Sequence, residues 1–198
     1  MAETPDPPSR APATEAERRA AWIGEQTRAD GPIHLADYDP GWPELFEREE
    51  ARIRLLLGDR VRLLEHVGST SIPGIAAKPI IDVDLAVPDS ADEPAYVPDL
   101  EAGGFILRAR EPDWFEHRLL QGTDRSVNLH VFTAGSPEID RMLAFRDHLR
   151  THDDERRLYE ATKRELAARD WVYVQDYADA KGDVVEAILA RALAERDS

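Results

Sequence analysis

Two aspartates at alternate positions, in the run Ile81-Asp82-Val83-Asp84-Leu85, carry the most chemical information in this chain. On a β-strand alternate side chains share a face, so both carboxylates would point the same way. Upstream lies a loop of small residues, Gly68-Ser69-Thr70-Ser71, set between two apolar runs. Twelve residues, Thr70 to Ile81, separate Ser69 from Asp82. Backbone N–H and hydroxyl groups in such a loop suit phosphate oxygens, and paired carboxylates suit Mg²⁺. Together they point to a divalent cation and a nucleotide. The same aspartates could instead cap loop ends or pair with Lys78 or an arginine. Lys78, between the loop and the aspartates, could reach a phosphate or neutralise Asp82.

Composition narrows the partners. The 198 residues fit one domain with ample core. A formal net charge of −15 argues against a broad nucleic-acid surface and against anionic membranes. It leaves room for a small phosphate ligand held by a few local cations and a metal. The absence of cysteine excludes disulfides, zinc–thiolate sites and cysteine nucleophiles. No apolar run reaches transmembrane length, and the N-terminus lacks a secretory pattern, so a cytoplasmic location is expected.

A carboxylate pair of this kind needs strands to aim it and helices to cover it. Residues 1–30 read as a disordered or weakly helical tail, with Glu17 to Arg28 as its thin helix. Residues 31–198 read as one domain. Ile33-His34-Leu35 is a candidate first strand, and Pro43 to Leu57 a helix ended by Gly58. Arg62 to Val67 and Pro79 to Val87 are the strands flanking the small-residue loop. A helix ends at Gly103-Gly104. Phe105 to Arg110, Phe115 to Gln121 and Ser126 to Thr133 form a strand meander. Ser136-Pro137 opens a capped helix, and from there the chain reads as helical. One inward stripe is Leu158, Tyr159, Thr162 and Leu166, and a last helix spans Tyr177 to Ala194. The fold class is α+β, or α/β with a mixed sheet, with a helical C-terminal third.

The chain also resembles a known family. The blocks that carry the likeness include Tyr38-Asp39-Pro40-Gly41-Trp42-Pro43, the long stretch Glu65 to Val87, Asn128-Leu129-His130-Val131, Leu143 to Arg150, Tyr159 to Lys163, and the Tyr177 to Leu189 helix with Lys181. These identify it as a member of the GrpB family, which is assigned to the nucleotidyltransferase superfamily with its polymerase-beta-like fold. The resemblance implies Mg²⁺-dependent transfer of a nucleotidyl group from a nucleoside triphosphate such as ATP to a small-molecule acceptor. In that reading Asp82 and Asp84 hold the metal, and Gly68, Ser69, Thr70 and Ser71 cradle phosphates. Lys78, Asn128, Arg146 and Lys163 contact the anionic ligand. Relatives of this type also look like a domain of some bacterial dephospho-coenzyme A kinases.

Active members of the superfamily usually place a third carboxylate on a later strand. In the Ser126 to Thr133 run, Val127, Leu129 and Val131 would face the core, so Ser126, Asn128 and His130 face the other way. His130 stands where that acid is expected, as metal ligand or base. Asp124 and Glu116 are alternative acids. Arg108, Arg110 and Arg118 are expected to pair with Glu111, Asp113 and Glu116. The departure keeps two other readings open: a non-catalytic module for a nucleotide or phosphate ligand, and a different phosphate or acyl transfer on the same scaffold.

Overall fold

A computed structural model describes residues 14–196. Its centre is a five-stranded mixed sheet in the order β2 (Leu63–Val67), β3 (Ile81–Val87), β6 (Val127–Thr133), β5 (His117–Gly122) and β4 (Phe105–Glu111). β3 and β6 run parallel and every other pair is antiparallel. The alternating strands sort their residues onto two faces. Ile81, Val83, Leu85 and Val87 of β3, with Val127, Leu129 and Val131 of β6, bury one face. They pack against α2 (Trp42–Leu57) and α3 (Val97–Ala102) through Ile53, Leu57 and Leu100.

The other face carries Asp82, Asp84, Asn128 and His130, and it meets the C-terminal helices. These are α4 (Pro137–Thr151), α5 (Asp153–Ala167), α6 (Val174–Asp179) and α7 (Gly182–Arg196). Ala86 and Phe132 pack on Ile139 of α4. Ile72 and Ile75, after the small-residue loop, pack on Leu149, Tyr159 and Ile188. No helix among the described residues is long and apolar enough to cross a membrane.

Several local expectations change. Residues 1–13 of the expected tail lie outside the described residues. The N-terminal helix is α1 (Glu15–Ala21), not Glu17 to Arg28. Ile33 to Leu35 is not a strand. Ile33 instead donates its N–H to the Ala167 carbonyl at the end of α5, and the side chains of Ile33 and Leu35 pack against Leu166 and Tyr177. The edge strand is β1 (Arg28–Gly31), paired with β7 (Trp171–Tyr173), which breaks the continuous C-terminal helix. The polar β1 has no alternation to betray it; the aromatic and β-branched β7 recruits it. Ser136 precedes α4 as expected, but its hydroxyl makes no capping bond. In α5, Leu158 is exposed and Lys163 takes an inward place beside Tyr159 and Leu166.

Candidate functional site

β3 places Asp82 and Asp84 on the helix-covered face of the sheet. Asp84 is fully buried, and neither carboxylate oxygen has a hydrogen-bond partner among the described residues. A buried, unpaired carboxylate is costly, and native proteins keep few of them without a purpose. Burial pushes its pKa up to about 8, with Glu138 and Asp82 adding to the rise and His130 and Arg146 opposing it. Asp82 differs. Burial raises it, but His130, Asn128 and Lys78 together hold it below the usual carboxylate range. Its Oδ1 accepts a 2.9 Å hydrogen bond from Asn128 Nδ2 and lies 3.8 Å from His130 Nε2. Two carboxylates on one strand face, one of them with no hydrogen-bond partner among the described residues, fit a divalent cation such as Mg²⁺.

The loop between β2 and β3 presses on the same pair. Gly68 has φ +66°, and a Cβ there would overlap Asp82 Oδ2. Only glycine allows the backbone to approach the carboxylate this closely. Thr70 and Ser71, both expected at phosphate, turn into the protein instead. Thr70 Oγ1 bonds His66 Nε2 at 3.0 Å, and Ser71 Oγ donates to the Gly68 carbonyl at 2.6 Å. His66 stacks on Phe46, and its burial lowers its pKa to about 4 against the opposing charge of Asp82. Gly68 and Ser69 are therefore the parts of the loop left facing the site, with Ser69 against the phenol of Tyr159.

Two lysines, Lys78 and Lys181, feel the charge of Asp82, and a third, Lys163, lies within reach of Lys181. Burial, helped by the charge of Lys181, lowers Lys78 to about 8 and Lys163 to about 7. Lys181 is also depressed by burial, although Asp82 pulls it the other way. The ammonium groups of Lys78 and Lys181 lie 5.9 and 4.9 Å from the ring of Tyr177, whose buried hydroxyl lacks a partner among the described residues. Lys163 donates to the Ala76 carbonyl beside the ring of Tyr159. Among the described residues none of the three lysines makes an ion pair. Desolvated ammonium groups without a direct ion pair, near a carboxylate pair, are the donor set a phosphate would need if its other oxygens met a metal.

Other expected residues stand elsewhere. Arg146 donates to Glu65 at 2.7 Å, to the His66 carbonyl at 3.0 Å and to Asp147 at 2.7 Å, so its guanidinium fastens α4 to β2. Asn128 is occupied by Asp82 and Gln121, as a holder of the carboxylate. Asp124 closes its own turn on Ser126, and Glu116 pairs with Arg118. Neither supplies a third carboxylate. Arg110 and Arg118 converge on Glu93, not on Glu111 or Asp113, and Arg108 lies over Trp22. Glu111 bonds His117 instead. The register sets His130 directly opposite Asp84 and Asn128 opposite Asp82. His117, which stands behind His130, has no motif of its own and is found only through the sheet.

Comparison with known proteins places these residues in a wider context. The family model described as GrpB protein matches residues 32–191. A UPF0157 protein of Halalkalibacterium halodurans is 54% identical over 181 residues, covering 91% of this chain and 93% of its own. The crystal structure of a conserved GrpB protein from Enterococcus faecalis superposes with a TM-score of 0.69 at 28% identity, covering 83% of this chain and all of that one. A dephospho-CoA kinase of Mycolicibacterium paratuberculosis is 29% identical over 167 residues, which are 71% of this chain and 41% of the kinase.

Proposed function

Because the chain belongs to the GrpB family, we propose that it binds a divalent cation and a nucleotide on the Asp82–Asp84 face and transfers a nucleotidyl group to a small-molecule acceptor. One observation carries this reading: the bare, buried carboxylate of Asp84 beside Asp82, under a glycine that no side chain could replace. Asp82 and Asp84 would hold Mg²⁺, which would supply Lewis acidity to phosphate oxygens and lower the pKa of an attacking hydroxyl. Gly68 and Ser69 line the phosphate side, and Lys78, Lys163 and Lys181 balance its charge. Asn128 keeps Asp82 oriented. His130 stands ready to take the acceptor's proton or to complete the metal's ligands. The partial match to a dephospho-CoA kinase supports a nucleotide-related ligand, and the net charge of −15 disfavours a nucleic-acid acceptor.

The test is calorimetric titration of Mg²⁺ and ATP into the wild-type, Asp82→Asn and Asp84→Asn proteins. Tight binding that both substitutions abolish is expected, and equal binding by all three would remove the metal role. A second reading is a binding module without turnover. It is favoured by the register position opposite Asp84, which holds His130 where a third acid would stand. The released product separates the chemistries. Pyrophosphate marks nucleotidyl transfer, orthophosphate marks another phosphate chemistry, and binding with neither product marks the module.

A further inference from the structure

His148 lies in the last turn of α4, His152 is its C-terminal cap, and Glu195 stands in the last turn of α7. A spacing of four residues puts both imidazoles on one side of the helix, and their rings lie face to face with centroids 3.9 Å apart. Both turn to a single oxygen across the seam between the helices. Glu195 Oε2 lies 3.3 Å from His148 Nδ1 and 3.4 Å from His152 Nε2. One ligand atom from each of the three residues lies within 4.8 Å of the other two. His148 is buried, and its Nε2 has no hydrogen-bond partner among the described residues. The side chains of His152 and Glu195 are open to solvent, at 37% and 56% exposure. The ring of His152 is held from behind, with Nδ1 3.0 Å from the His148 carbonyl and 3.0 Å from Thr151 Oγ1.

We infer that His148, His152 and Glu195 form a second metal site, for a borderline transition ion such as Zn²⁺, that clamps α7 to α4. The distances separate a metal from a plain ion pair. A charge-assisted hydrogen bond closes to about 2.7–2.9 Å, and both contacts to Glu195 are longer. In a tetrahedral Zn²⁺ site with bonds of about 2.0–2.1 Å, neighbouring ligand atoms stand about 3.3–3.4 Å apart. Two charged imidazoles stacked this closely would repel each other, whereas two neutral rings can share one cation. Imidazole nitrogens select this class of ion over Mg²⁺, which prefers oxygen. Three protein ligands with a solvent-facing side leave a fourth position for water. A buried imidazole nitrogen without a partner calls for an explanation, and a bound ion on the same ring is one. Two helix C-termini meet here, so both macrodipoles favour a cation. The consequence is mechanical. Ile188 of α7 packs on Ile72 and Ile75, so the clamp would hold the last helix against the segment that follows the small-residue loop. None of this depends on the nucleotide chemistry proposed above.

Zn²⁺ titration against a chromophoric chelator, with Co²⁺ as the spectroscopic probe, tests the site on the full untagged chain. The Asp84→Asn protein is the background, so that the carboxylate pair on β3 does not confuse the count. It should bind Zn²⁺ as the wild type does and give the intense visible Co²⁺ bands of four-coordination. His152→Ala and Glu195→Gln, each added to that background, should lose the bands. Each should weaken Zn²⁺ at least about a hundredfold, the upper end of what losing even an outer-shell partner costs. Zn²⁺ should raise the melting temperature of the Asp84→Asn protein and of neither double variant. Equal Zn²⁺ affinity in all three proteins would overturn the site, as would Zn²⁺ binding that Asp84→Asn alone abolishes. Should a double variant fail to fold, the Asp84→Asn spectrum still decides, because weak six-coordinate bands, or none, would also overturn it.

Discussion

At the scale of single residues, Gly68 and Asp84 show what the site costs the fold. Gly68→Ala would force a Cβ into Asp82 while requiring an alanine at φ +66°. A loss of about 1–3 kcal/mol in stability is expected from the strained backbone. Mg²⁺ binding should be lost with it, as calorimetry on the folded fraction would show. Asp84 makes the opposite prediction for stability. Its folded pKa of about 8 lies above the ordinary 3.8 because the buried site disfavours its charge. Its contribution to stability is complete below the ordinary value and is lost as pH rises towards 8. Asp84→Asn removes that loss. In metal-free protein it should melt above the wild type at pH 8, by a margin that grows from pH 5 at up to about 1.4 kcal/mol per pH unit. Under the proposed function Mg²⁺ should narrow or reverse the gap, because only the wild type would bind it. A wild type that stays the more stable at every pH would show that Asp84 is not held as a buried acid.

At the scale of elements, the helices divide the cations between those held in ion pairs and those without one among the described residues. Arg146 on α4 is fully engaged by Glu65, Asp147 and the His66 carbonyl. Arg146→Ala should cost about 2 kcal/mol, as for other charge-assisted hydrogen bonds, with little change in ATP affinity. Lys181, at the turn between α6 and α7, has no ion pair among the described residues and a depressed pKa. Lys181→Met should leave the fold at least as stable and weaken ATP binding about tenfold, the order of one lost charge-assisted contact. Thermal melts with a parallel nucleotide titration compare the two variants, and an inverted pattern would exchange their roles. The elements themselves were legible where periodicity is local. The α2 helix, the β2–loop–β3 unit and the meander all follow from it. β1 escaped because Arg28 to Gly31 carries no apolar alternation. Lys163 was expected at the ligand, but its burial against the Ala76 carbonyl escaped, because a charged residue on a helix reads as solvated until the tertiary fold covers it.

At the scale of the whole molecule, the net charge of −15 is spread over a surface that also carries ion pairs such as Arg191 with Glu155 and Arg60 with Asp99. Self-repulsion should dominate these exposed pairs, which are individually weak. The melting temperature of the protein should therefore rise as NaCl is increased towards about 1 M, where the screening length falls to about 3 Å. A falling melting temperature would mean that the surface pairs outweigh the repulsion. By itself the sequence determined what depends on neighbours along the chain: the shared face of Asp82 and Asp84, the tight loop before them, the helical C-terminal third and the family. The tertiary structure alone decided which groups meet across the sheet and between layers. His117 reaches His130 over 13 residues, Arg146 reaches Glu65 over 81, and Lys163 reaches Ala76 over 87. Such contacts follow from strand order and helix docking, and local spacing does not encode them. Their physical effect is desolvation, which raises the pKa of Asp84 and lowers those of Lys78, Lys163 and Lys181.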